Sequence, residues 1–204
     1  MSRGLGDVYK RQLAEGENPV TIVDTVLFGE DCTYAGMEKI AAHVKKCGAD
    51  MIFGMGGGKA LDTAKGTAEK CALPVFTFPT IAATCAATTV LSVVYKEDGN
   101  FDSFYFYEKP ARHSFIDTEI IAAAPECYLR AGIGDTLGKY FECHFSARGD
   151  RLTHSSALGR EISNMCYLPL REYAESALEE CRENQAGEAL EQAVLANIVS
   201  TGLV

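Results

Sequence analysis

The chain has no apolar run approaching the roughly 18 residues that a membrane-crossing helix needs. Nor does it carry an apolar segment near its start that would act as a signal peptide. A cytoplasmic protein without a membrane partner is the expectation. Lysine and arginine nowhere form a block and the net charge is −9. Phosphate-backbone binding needs a clustered basic footprint, so nucleic acid is not an expected partner. The eight cysteines (Cys32, Cys47, Cys71, Cys85, Cys127, Cys143, Cys166 and Cys181) never form a C-x-x-C pair. That excludes a zinc ribbon or a thioredoxin-type site and reads as single free or buried thiols in a reducing compartment.

What is present is a soluble, globular balance of 47% apolar and 23% charged residues over 204 positions. This length builds one large domain, or one domain and part of another. The first dozen residues differ from the rest: they carry +2 (Arg3, Lys10 and Arg11 against Asp7), whereas residues 13–204 carry −11. Residues 1–12 resemble translated adapter sequence and are set aside as a non-native leader. The last residues, Ile198 to Val204, run out within or just after a helix, so the protein is expected to be cut at both ends.

Residues 20–28 (VTIVDTVLF) are β-branched and predict a strand, and residues 33–47 have helical spacing through Met37, Ile40, Ala41 and Val44. Residues 49–54 then predict a buried strand, 59–71 a helix and 74–79 another strand. This rhythm implies an open parallel sheet whose ligand sits at the carboxyl ends of the strands. Residues 91–96 and 104–107 flank a hairpin-like turn at Glu97-Asp98-Gly99-Asn100, and 114–117 predict one more short strand. From about Glu126 onward the pattern is helical, with breaks near 148–150, at Pro169 and at 184–187. The expected fold class is therefore α/β: a parallel nucleotide-binding sheet domain over residues 13–125, followed by part of an all-helical domain over 126–204.

Three motifs carry chemistry. Gly54-Met-Gly56-Gly57-Gly58-Lys59-Ala-Leu-Asp62-Thr-Ala-Lys65 stands between a strand and a helix. Glycines there admit a pyrophosphate to unpaired N–H groups at a helix start, although a plain glycine-rich turn has the same composition. It is neither G-x-G-x-x-G nor a Walker loop. Asp62 and Lys65, three apart, also suit a surface ion pair. Pro79-Thr80-Ile-Ala-Ala-Thr84-Cys85-Ala-Ala-Thr88-Thr89, rich in small residues and hydroxyls, suits a close-fitting loop around an amide or ribose, or a Thr-rich turn. In Ala131-Gly-Ile-Gly-Asp135-Thr-Leu-Gly-Lys139, Asp135 reads as a helix N-cap or as a metal ligand. His144, nine positions on, falls half a turn out of phase with it, and His43, His113 and His154 lack metal-ligand spacing.

Gly56–Lys65, Pro79–Thr84 and Gly132–Leu137, in this order and spacing, resemble the iron-containing alcohol dehydrogenase superfamily in its glycerol-dehydrogenase-like branch. The resemblance runs from about residue 20 to the end. It implies that Gly57, Gly58, Lys59 and Asp62 lie along the phosphates and ribose of NAD or NADP, with Thr80, Thr89, Leu91 and Tyr95 lining the rest of the pocket. It implies that Asp135 is one ligand of a divalent metal, zinc or iron, completed by two histidines beyond Val204. The metal would polarise a small-molecule alcohol or oxo substrate and hydride would pass to or from the nicotinamide. No catalytic side chain is assigned within this stretch.

One departure matters. Glycerol dehydrogenases of this branch have an aspartate where Cys85 stands, holding a substrate hydroxyl, and a thiol is no substitute for that acceptor. The run around Cys85 is closer to the hydroxycarboxylate dehydrogenase A branch, which implies a 2-oxo acid or 2-hydroxy acid substrate bound near Cys85. The alternatives are a glycerol (polyol) dehydrogenase, a dehydroquinate-synthase-like lyase, and a silent nucleotide-binding fragment. A homo-oligomer is left open.

Overall fold

A computed structural model describes residues 5–15, 19–29, 31–149 and 151–204. Its internal contacts divide the chain into two compact units: Met1–Thr80 with Thr89–Ile116, and Ile81–Thr88 with Asp117–Val204. The division at Ile116 precedes the sequence boundary near residue 125, because Asp117 already caps a helix of the second unit. The loop segment 81–88 also counts with the helices.

In the first unit, α1 (Leu5–Glu15), α2 (Tyr34–Cys47) and α3 (Gly58–Cys71) accompany a parallel sheet of β1 (Ile52–Gly56), β2 (Val75–Pro79) and β5 (His113–Ser114), in the order β1-β2-β5. Strands β3 (Leu91–Tyr95) and β4 (Phe101–Phe106) form the expected antiparallel hairpin, pairing Leu91 with Phe106 and Tyr95 with Phe101. Alternation along β2 puts Phe76 and Phe78 on one face, where they meet Phe53 at ring distances of 5.4 Å. Thr77 points the other way and donates to Ser114 Oγ at 2.8 Å.

One expectation fails here. Residues 20–28 form no strand: Val23, Val26 and Leu27 are exposed and the segment joins no ladder. β-Branched residues favour strand only when a partner strand pairs their backbone, and none lies alongside among the described residues. Residues 5–15, mostly set aside as leader, fold as a helix whose Tyr9 is 2% exposed. The Tyr9 hydroxyl donates to Pro79 O at 3.2 Å and its ring stands edge-on to Phe78.

The second unit is helical: α4 (Thr118–Ala122), α5 (Glu126–Ser146), α6 (His154–Arg182) and α7 (Glu188–Val194), running into a π-helical turn, Leu195–Ser200. Its core gathers Leu129 and Ile133, Cys166, Leu170 and Ala177, Leu190, Val194 and Ile198. The breaks expected near 148–150 and 184–187 separate α5 from α6 and α6 from α7, although Asp150 itself lies outside the described residues. Pro169 ends nothing. Helix α6 continues through it, the lost N–H bond and local clash (about 3 kcal/mol) being offset by burial of Cys166, Leu170, Ala177 and Cys181 along the same helix.

The first unit is pinned by a charge. Lys65 Nζ, on α3, lies 3.0 Å from Asp62 Oδ1, with both side chains under 10% exposed. It donates to Leu91 O at 2.6 Å, Thr89 Oγ1 at 3.2 Å and Thr89 O at 3.3 Å. Asp62 Oδ2 accepts from Val93 N at 3.1 Å. The pair is thus internal rather than on the surface, and it binds α3 to β3. Lys65→Met strands a buried carboxylate and is expected to cost ~3–5 kcal/mol in urea unfolding. Asp62→Asn leaves the ammonium its three oxygens and costs less. Burial raises the Asp62 carboxyl above the ordinary 3.8, with Lys65 pulling it down. A raised carboxyl holds its proton more tightly folded than unfolded, so this group subtracts stability as pH climbs from 3.8 through its folded pKa. Asp62→Asn should flatten that decline in urea midpoints measured across acid pH; a greater loss for Asp62→Asn than for Lys65→Met contradicts the assignment.

Candidate functional site

The sequence-assigned residues fall into two sets, one in each unit. All eight expected along the cofactor belong to the first. Strand β1 ends at Gly56, whose φ of +145° is open to glycine and strained for other residues. Gly57 follows with extended backbone and caps α3 with no side-chain bond, and the N–H groups of the first turn point out of that helix end. The first internal bond of the helix is Leu61 N to Gly57 O at 3.1 Å. Such an end favours an anion, through both its N–H groups and its dipole.

Thr80 joins this loop, its N–H donating to Gly56 O at 3.0 Å. The residue is 2% exposed, and its Oγ1 is buried with no hydrogen-bond partner among the described residues. Buried hydroxyls are nearly always paired, so this orphan beside the glycine loop fits a bound ligand. Lys59 brings positive charge to the same helix end, ion-paired with Asp31 and 5.0 Å from the centre of the Tyr95 ring. The glycine loop, Lys59, Thr80 and Tyr95 therefore suit the phosphates and sugar of a dinucleotide.

Asp62, Thr89 and Leu91 are joined by contacts within the protein. The Asp62 carboxylate turns inward to Lys65 and Val93 N, and Lys65 takes the Thr89 and Leu91 carbonyls. These three fix where α3 stands against β3. Lys65, whose burial i,i+3 spacing could not reveal, is the positioning residue the sequence missed.

The second set lies in the helical unit. The loop Ile81–Thr88 carries Cys85, a half-buried cysteine outside any disulfide. Thr88 Oγ1 donates to Ile198 O at 2.5 Å and Asn197 Nδ2 to Ala82 O at 3.3 Å, so the π-helical turn grips both ends of the loop. Helix α5 approaches just as closely: a Cβ on Gly132 would stand 1.9 Å from Ala82 O. One turn further along α5, Asp135 is exposed, and its carboxylate makes no polar contact with a neighbouring side chain among the described residues other than its electrostatic one with Lys139. It is not an N-cap, since α5 begins at Glu126.

Lys139, one turn beyond Asp135, was given no role from sequence. Its ammonium donates to Glu142 Oε2 at 2.9 Å. Its pKa is raised, first by that bond, against some burial, and further by its proximity to the side chains of Asp135 and Cys85. Those three groups therefore share one electrostatic neighbourhood. Asp135 has a hard carboxylate oxygen there, and among the described residues it belongs to no group of three converging ligand atoms. Zinc held in a catalytic site takes three protein ligands, a number that Asp135 does not reach with its neighbours among the described residues. His144 is elsewhere engaged, 2.8 Å from Tyr140 O.

The chain is 36% identical over 183 residues to the glycolaldehyde reductase of Halobacterium salinarum, covering 88% of this chain and 50% of that protein. It is 35% identical over 182 residues to hydroxycarboxylate dehydrogenase A of Escherichia coli (strain K12), covering 88% and 49%. Among solved structures, that of glycerol dehydrogenase from Schizosaccharomyces pombe superposes with a TM-score of 0.79 at 34% identity, over 92% of this chain and 48% of that one. The chain spans about half the length of the curated relatives it matches. Residues 1–118, more than half of the chain, match the profile of one family, and on that match the chain belongs to the iron-containing alcohol dehydrogenase family.

Proposed function

We propose that the whole protein of which this chain is part is a metal-dependent oxidoreductase, passing hydride between NAD or NADP and a small alcohol or 2-hydroxy acid. The observation that carries this reading is the uncapped α3 terminus behind Gly56-Gly57-Gly58, with Lys59 and the orphaned Thr80 hydroxyl beside it. The nicotinamide, when bound, supplies or accepts the hydride. In this chain Gly57 and Gly58 would let the pyrophosphate reach backbone N–H groups, Lys59 would add charge, and Thr80 would donate to the ligand. Tyr95 would cover it, while Asp62, Thr89 and Leu91 would hold the frame through Lys65. Asp135 would contribute one ligand to a zinc or iron ion whose remaining ligands lie outside these residues.

The substrate reading rests on charge. Cys85 replaces the aspartate expected of a glycerol dehydrogenase, and Lys139 lies in its field and that of Asp135. A neutral thiol and a nearby ammonium favour an anionic substrate, whereas a second carboxylate beside Asp135 would repel one. This supports a 2-oxo acid, reduced to a 2-hydroxy acid, over glycerol. The isolated 204-residue chain, in which no full ligand set surrounds Asp135 among the described residues, is read as a nucleotide-binding piece without metal-dependent turnover.

Two outcomes test these statements. Thr80→Val removes a hydroxyl that has no partner among the described residues, so it should leave stability unchanged or slightly higher while costing ~1–3 kcal/mol of NADH affinity by fluorescence titration. A stability gain with unchanged affinity sets Thr80 outside the ligand contact. For the enzyme expressed from the extended gene, 2-oxo acids should be turned over in preference to glycerol. Cys85→Asp should lower kcat/KM for the oxo acid by about tenfold or more, the scale of ~1.4 kcal/mol. Preference of the unaltered enzyme for glycerol would sink the substrate assignment.

A further inference from the structure

Outside the site described, a second group of metal-binding side chains converges in the first unit. His43 and Cys47 stand one turn apart on α2 and so share a face of that helix. Asp24 reaches them from the unpaired segment that was expected to be a strand. Asp24 Oδ2 lies 2.6 Å from His43 Nε2, Cys47 Sγ 3.3 Å from the same nitrogen, and Cys47 Sγ 4.0 Å from Asp24 Oδ2. Three ligand atoms of carboxylate, imidazole and thiol type thus lie within 4.8 Å of one another.

From these three side chains we propose a zinc-type site, Asp24–His43–Cys47, that clips the 19–29 segment to α2. Bond lengths of about 2.0–2.3 Å and tetrahedral angles set ligand atoms roughly 3.3–3.8 Å apart. The observed separations bracket that range: the Asp24–His43 contact, now a hydrogen bond, has to open and the Cys47–Asp24 one to close by a few tenths of an ångström. The donor set selects the ion: thiolate and imidazole suit zinc and disfavour magnesium or calcium. A carboxylate and a thiolate cancel both charges of a divalent ion, and Lys39 and Lys46, which line the same hollow, are then faced by a neutral centre. With Asp24 and His43 about half exposed, water can take the fourth position.

The site also accounts for a feature of the segment it would hold. Val23 and Leu27 are 56% and 91% exposed on a stretch with neither helix nor strand, yet the carboxylate between them is fixed to α2. A ligand from an otherwise unpaired segment, meeting two from a helix, is how a structural metal adds a tether that the apolar core does not supply. It is independent of Asp135 and of the hydride-transfer reading, since it uses none of those residues.

The test is titration of cobalt(II), a spectroscopic stand-in for zinc, into the reduced 204-residue chain. One equivalent should bind with a thiolate-to-cobalt charge-transfer band, and zinc should displace it. Cys47→Ser should abolish the band. His43→Ala and Asp24→Asn should each weaken binding at least ~10-fold, the scale on which even outer partners of a metal act. Cys85→Ser and Asp135→Asn should leave band and affinity unchanged, which separates this site from the proposed catalytic ligand. Circular dichroism of each variant checks that the fold persists, as expected for half-exposed positions. No band in the unaltered chain, or a band that survives Cys47→Ser, overturns the proposal.

Discussion

Lys65 carries its ammonium into the interior of the sheet unit and there gathers the Asp62 carboxylate together with three oxygens of Thr89 and Leu91. Everything assigned to nucleotide binding depends on that knot. Helix α3 presents the glycine loop at its start, and β3 presents Tyr95 at its end. The buried charge fixes one against the other. An ammonium at 3% exposure is tolerated because every donor direction meets an oxygen; the same group without those partners would be expelled or neutralised.

The helical unit solves a comparable problem without charge. Its loop 81–88 is short on bulk and rich in alanine, so it has little apolar surface with which to anchor itself. Backbone contact does the anchoring: Gly132 lets α5 close onto Ala82, and the π-helical turn offers Ile198 O to Thr88 and the Asn197 amide to Ala82 O. π-Turns recur at functional sites because they leave carbonyls unspent by the helix. Here one of them holds the loop that carries Cys85, one electrostatic step from Lys139 and Asp135.

How far the sequence foretold this varies with the range of the interaction. Residues 49–79 were legible because strand, glycine turn and helix are each signalled within a few positions, and β1, α3 and β2 follow those signals. The hairpin at Glu97–Asn100 was legible for the same reason. Residues 20–28 misled because β-branching states a preference whose fulfilment depends on a partner elsewhere. Pro169 misled because packing along a 29-residue helix outweighs one lost bond. Asp62 and Lys65 were visible as a pair and invisible as a buried one. The tie of Asn197 to Ala82 spans 115 positions and leaves no local trace. The site motifs stood out by type; which of their side chains face inward was settled only by the fold.

The central claim is that the backbone of the glycine loop is the seat of the dinucleotide phosphates, and amide chemical shifts read that backbone directly. Titrating NADH into the nitrogen-15-labelled chain should move the amide signals of Gly57, Gly58 and Lys59 most, with Thr80 and Tyr95 following. Saturation with those amides unmoved, and the largest changes confined to the helical unit, would contradict it.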